Sequence, residues 1–201
     1  MLDERKFLEQ DELARLRRHV RGRVERAGFK LRLPWLEWFF TELAFETGLR
    51  VAEMADLKCS DLVLSMNRPG VFVRRGKGGK SRFVRVRKQF VQVCEDYLHW
   101  KSAIGEPAGN EDPVIRSSVT SRHMTTRGLQ KMFERLCLRT GIEGHSVHHS
   151  RHTYASVLYR SSGRDLQLVK SQLGHSSTKV TEVYAHVFDQ DIDLAMKRLY
   201  A

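Results

Sequence analysis

The stretch from Pro34 to Thr47 is so apolar that the rest of the chain has to fold around it. Leu36, Phe39, Phe40, Leu43 and Ala44 recur at helical spacing, and Pro34 suits a first helical turn, where its missing N–H costs nothing. Thr47-Gly48 breaks the helix immediately before Arg50. A buried helix therefore delivers an arginine to a defined point.

Around it the pattern is mostly helical. Residues 11–27 carry Leu13, Leu16, Val20 and Val24 on one face behind Asp11 and Glu12, and Gly28 ends them. The Arg-rich opposite face reads as solvated surface. Val51 to Leu57 is helical again, and residues 89–103 and Thr126 to Leu138 give two further amphipathic helices. Val71-Phe72-Val73 and Phe83-Val84-Arg85-Val86 read as strands joined by Gly76-Lys77-Gly78-Gly79-Lys80, a β-hairpin with a flexible tip. A Gly/Pro/Asn/Asp loop spans Gly105 to Pro113, and helix is expected from His148 onward, interrupted near Gly163 and Gly174. The fold class is α+β, mostly helical, with one small antiparallel β-sheet and no βαβ alternation.

Composition narrows the partner. With 41% hydrophobic and 29% charged residues in 201, the chain can bury a core and is not globally disordered. A formal charge of +11 favours a polyanion, because lysines and arginines gain binding free energy by releasing counterions from phosphates. Cys59, Cys94 and Cys137 are scattered and odd in number, which argues against a disulfide framework and places the protein in a reducing compartment. No segment approaches the roughly 20 apolar residues of a membrane span, so a cytoplasmic location and no membrane partner are expected.

Five motifs then fall in one order. They are Thr47-Gly48-Leu49-Arg50 with Glu53, the hairpin Gly76 to Lys80, His148-His149-Ser150-Arg151-His152, Leu173-Gly174-His175, and Tyr184-Ala185-His186-Val187. His175 and Tyr184 are nine positions apart. Together these resemble the tyrosine recombinase (phage integrase) family, over essentially the whole chain. The resemblance implies a tyrosine recombinase-like catalytic domain and a site-specific DNA recombinase or integrase, a DNA strand transferase that forms a 3′-phosphotyrosyl intermediate. It implies no cofactor, neither metal nor nucleotide.

On that reading Tyr184 is the nucleophile. A phenol of ordinary pKa about 10 needs a base or a cationic field at neutral pH, and His148 is the candidate base. Arg50 and Arg151 would clamp the non-bridging oxygens, since a guanidinium holds two oxygens and keeps its proton. His175 would donate another hydrogen bond to the phosphate. Lys77, on the hairpin tip in a DNA groove, would protonate the leaving 5′ oxygen. Lys80 and Arg82 are candidate DNA contacts, and Glu53 is expected to orient Arg50 or its helix.

Other readings are weaker. His145, His148, His149 and His152 invite a metal, but Glu143 is their only nearby carboxylate and no cysteine accompanies them. Gly79-Lys80-Ser81 is not a phosphate-binding loop: the motif's first glycine would fall at Arg74, and strand rather than helix follows. A type IB topoisomerase-like enzyme and a catalytically inactive DNA-binding regulator remain alternatives. The second is suggested by Ser150, which stands where the family usually places an apolar residue.

The expected domain is 1–201, with a short amphipathic tail helix at about 189–200 carrying Ile192, Ala195, Met196 and Leu199 on one stripe. Many relatives have a complete N-terminal helical domain ahead of the Pro34 helix, so a minimal stand-alone recombinase and an excised catalytic domain are both open. Double-stranded DNA is the expected partner, with a homo-oligomer, a tetramer on DNA; the resemblance implies a tail that docks on a neighbouring protomer, and a tail packed against its own domain when DNA is absent stays open. Accessory DNA-bending proteins are compatible with this reading.

Overall fold

The structure, a computed structural model, describes residues 7–65, 67–76 and 79–174. The apolar helix is α2 (Arg32–Thr47), and it lies at the centre: Trp35, Leu36, Trp38, Phe39, Phe40, Leu43, Ala44 and Phe45 are all buried. Around it pack α1 (Gln10–Ala27), α4 (Lys88–Ala103), α5 (Thr126–Arg139) and α6 (Val147–Ser161). Helix α4 meets α2 through rings: Trp35 stacks on Trp100 at 5.5 Å and Phe39 on Tyr97 at 4.0 Å. Such pairs add to the burial of their area and fix how the two helices cross.

Two carboxylates on α2 are buried and must be paired. Glu37 takes Arg23 from α1 and Arg139 from the end of α5, and Glu46 takes Arg17 from α1 and Arg87 just ahead of α4. The arginine face of α1 is thus not wholly solvated surface, as its sequence suggests. Arg17 and Arg23 fasten α1 to α2, because acids that the linear pattern cannot associate with them lie opposite.

The short α3 (Val51–Ala55) follows α2 directly, and a 3-10 turn, Cys59–Asp61, leads into the sheet. The sheet has three strands in the order β1-β2-β3, all antiparallel: β1 (Leu62–Val63), β2 (Gly70–Val73) and β3 (Arg82–Arg85). Val71 faces Val84 and Phe72 faces Phe83, so the two strands form the hairpin expected from the sequence. β1 was not anticipated, since two residues carry no alternation.

The loop after α4 is pinned to the 3-10 turn through Cys59 N to Asp112 O and Ser60 N to Asn110 O. After α6, α7 (Leu166–Leu173) packs on it through a separate small cluster of Ala155, Tyr159, Val169 and Leu173. Helix α7 also borders β3. Among the described residues, no helix is long and apolar enough to cross a membrane.

Candidate active site

Arg50 and Arg151 converge on the turn between α2 and α3. Gly48 closes α2 in the left-handed region, φ 58°, with its N–H bonded to Ala44 O. The ring of Tyr154 covers it so closely that a Cβ would lie 2.3 Å from Tyr154 Cδ1. Only glycine gives both this backbone and this approach. With the turn so fixed, the Gly48 carbonyl accepts a bond from Arg151 Nη1 at 2.7 Å, and the Leu173 carbonyl accepts one from Arg151 Nη2 at 2.8 Å. Arg151 is buried, so these carbonyls take the place of water.

Arg50 is the residue preceding α3, two positions beyond Gly48. Its amide donates to Glu53 Oε2 at 2.8 Å and its Nη1 to Glu53 Oε1 at 2.9 Å, which fixes both backbone and side chain. This matches the orienting part expected of Glu53. His148 is exposed in the first turn of α6, three residues before Arg151 and therefore on the same side of the helix.

Glu53 has a second partner. Arg82 Nη1 and Nη2 donate to Glu53 Oε1 and Oε2, each at 2.8 Å, and Arg82 Nε donates to Gln172 O at 3.2 Å. Burial disfavours the Glu53 carboxylate, but hydrogen bonds from Arg82 and from the Arg50 amide, with the charges of both arginines, outweigh it. They hold its pKa at about 2. Arg82, a candidate DNA contact from the sequence, has a side chain only 10% exposed, its guanidinium turned onto a carboxylate and a carbonyl. The sequence held no sign of this, as Glu53 and Gln172 lie far from Arg82 along the chain. Lys80 is exposed. Lys77, His175, Tyr184 and the 189–200 tail lie outside the described residues.

Ser150 is fully buried beside Arg151, and its hydroxyl donates to Val147 O at 2.7 Å. The hydroxyl is satisfied within its own helix, so it leaves no orphaned polar group next to the arginine. His145 Nδ1 lies 3.2 Å from His149 Nδ1, and His145 Nε2 lies 3.7 Å from Glu12 Oε2, which places both rings where α1 meets the start of α6. Two described tyrosines are poor phenolate sources. Burial, then the charge of Glu46, pushes Tyr154 up to about 12, and burial raises Tyr97 well above the ordinary value.

The family model for the phage integrase family matches residues 6–191. Among curated proteins the chain is 33% identical over 153 residues to tyrosine recombinase XerC of Staphylococcus carnosus, covering 75% of this chain and 49% of that one. It is also 33% identical over 151 residues to tyrosine recombinase XerD of Proteus mirabilis, covering 73% and 46%. The chain thus spans about half the length of these relatives. Among solved structures it resembles XerA recombinase with a TM-score of 0.73 at 26% identity, over 96% of this chain and 64% of that one. It resembles equally the XerH site-specific recombinase bound to a palindromic difH substrate in a post-cleavage complex, TM-score 0.73 at 25% identity, over 97% and 53%. With its α2–α3 turn, three-stranded sheet and ordered motifs, this chain belongs to the phage integrase family.

Proposed function

We propose that this chain is the catalytic part of a site-specific DNA recombinase, which cleaves and rejoins double-stranded DNA through a 3′-phosphotyrosyl intermediate. Tyr184 Oη attacks the phosphorus while His148 takes its proton. The bond from phosphorus to the 5′ oxygen breaks, and Lys77 protonates that oxygen to give a free 5′-hydroxyl. Arg50 and Arg151 stabilise the charge on the non-bridging oxygens, with His175 adding a hydrogen bond. Rejoining is the same path reversed, with a 5′-hydroxyl of another strand as attacking group. The phosphodiester is exchanged rather than hydrolysed, so no nucleotide is consumed.

The observation that carries the reading is the fastening of Arg151 to Gly48, two residues from Arg50. It supports two guanidinium groups acting on one phosphate. Lys80, exposed, is proposed as a DNA contact. Strand exchange on this reading takes place in the cytoplasm within a homotetramer assembled on DNA through the 189–200 tail.

A duplex nicked near the target phosphate tests this, because the short leaving strand diffuses away and traps the intermediate. The chain should form a covalent, protease-sensitive DNA adduct without added metal, and Tyr184→Phe should form none. An adduct that persists in Tyr184→Phe overturns the nucleophile assignment. Specific binding without any adduct favours a DNA-binding regulator.

A further inference from the structure

The Glu53–Arg82 ion pair touches three parts of the chain at once. Glu53 holds the amide and guanidinium of Arg50. Arg82 Nη1 lies 3.2 Å, and Glu53 Oε1 3.8 Å, from where a Cβ on Gly76 would stand, so the pair supports the neck of the hairpin just before Lys77. That neck is closed by Gly76 N donating to Lys80 O at 2.9 Å. At the far side Arg82 Nε bonds Gln172 O, and Arg82 Cδ would lie 2.5 Å from a Cβ on Gly174, the residue just before His175.

Polar contacts matter at this junction because α7 has little apolar anchorage. Its small cluster is shared with α6. Towards β3 it is tied by Arg82 on Gln172 O and by the Arg85 amide on Gln172 Oε1 at 3.0 Å. An arginine suits the place, since its planar fork spans a carboxylate with two nitrogens while the third reaches a carbonyl; a lysine's single ammonium cannot do both.

We propose that Arg82 is a positioning residue, not a DNA contact: paired with Glu53, it sets the relative placement of Arg50, of the chain entering Lys77 and of the chain entering His175. This rests on the recombinase reading given above. Arg82 then affects the chemical step through the residues it places, and DNA affinity hardly at all.

The test compares the whole chain with Arg82→Gln and Arg82→Lys in single-turnover cleavage at saturating DNA, beside equilibrium binding over a range of salt. Two scissile linkages are used: the natural one, and one with sulfur replacing the bridging 5′ oxygen, whose thiolate leaves without a proton. If Lys77 is misplaced, the oxygen substrate should slow by about 100-fold, within the range ascribed to general acid catalysis. The sulfur substrate should recover at least about 10-fold of that loss relative to wild type. Affinity and salt slope should stay as in wild type, and Glu53→Gln combined with Arg82→Gln should be no slower than the slower single variant.

Slowing of both linkages alike, as a general loosening of the fold would give, overturns the placement of Lys77 by Arg82. A salt slope reduced by about one with weakened binding, the mark of a lost phosphate contact, overturns the proposal. Should Arg82→Gln fail to fold, Arg82→Lys carries the same comparison. A wild-type chain that forms no adduct on either linkage overturns the recombinase reading itself, whereas a wild-type adduct with an unchanged oxygen-to-sulfur ratio in the variants overturns only the part given to Arg82.

Discussion

Arg151 Nη1 donates to the Gly48 carbonyl at 2.7 Å, so an arginine of α6 is fastened to the turn that presents Arg50. The two residues come from distant parts of the sequence, yet one hydrogen bond and one left-handed glycine tie them directly together. A phosphate clamp made of two side chains needs that rigidity, because groups prepositioned for developing charge need not reorganise at the moment of reaction.

Gly48→Ala is expected to be severe. The new methyl would meet Tyr154 Cδ1 at 2.3 Å, and φ 58° is strained for alanine. Loss of about 2–4 kcal/mol of stability is expected, with displacement of the Arg151 anchor. Urea unfolding measures the first. Crystallography or cleavage kinetics measures the second, and unchanged kinetics in a folded variant would detach the turn from the clamp.

Glu53 predicts a response to acid. Its folded-state pKa is near 2 while the unfolded carboxyl titrates near its usual 4.5, so the unfolded chain takes up the proton first as pH falls. The stability it supplies is complete above about pH 5 and is lost between there and about pH 2. Glu53→Gln should flatten this part of the pH–stability curve. Glu53→Ala, leaving Arg82 largely buried without its carboxylate, should cost about 3 kcal/mol at neutral pH.

His19 acts in a higher window. Burial, then the charges of Arg23, Arg139 and Arg26, lowers its pKa below the usual 6.5, so the unfolded chain binds the proton more readily. Its contribution is present above about pH 6.5 and fades as pH falls below it. Unfolding free energies at about pH 7.5 and pH 5.5 should differ less in His19→Gln than in wild type. Equal differences would contradict the placement of His19.

Ser150→Ala should cost no more than about 1 kcal/mol, the net worth of one satisfied hydrogen bond. Cleavage at saturating DNA should be unchanged, since the Arg151 anchors lie on other carbonyls. A large kinetic defect would give Ser150 a part in orienting Arg151 that its local bond does not suggest.

Much of this was legible in the sequence, for definite reasons. The apolar density of Pro34–Thr47 and the Thr47-Gly48 stop announce α2 and place Arg50, because burial and helix termination are local properties. The hairpin of β2 and β3 follows from two short apolar, β-branched and aromatic runs on either side of the Gly76 to Lys80 turn. What escaped depends on charges meeting across the fold. Arg17, Arg23 and Arg82 look like solvated or DNA-facing cations until Glu46, Glu37 and Glu53 are seen opposite them. Lys101 is fully buried, its ammonium bonded to Pro113 O and Val114 O, and nothing in its neighbourhood sets it apart from the surface lysines. The pairing of Arg50 with Glu53 was readable because Glu53 lies three positions after Arg50, in the first turn of α3.

A double-mutant cycle of Arg50→Ala and Arg151→Ala, followed by single-turnover DNA cleavage, probes the clamp most directly. If both guanidinium groups hold one phosphate in the transition state, each single variant should lose about 100-fold or more, and the double variant far less than the product of the two losses. Losses that multiply fully, or an Arg151→Ala variant that cleaves like wild type, would contradict a shared phosphate.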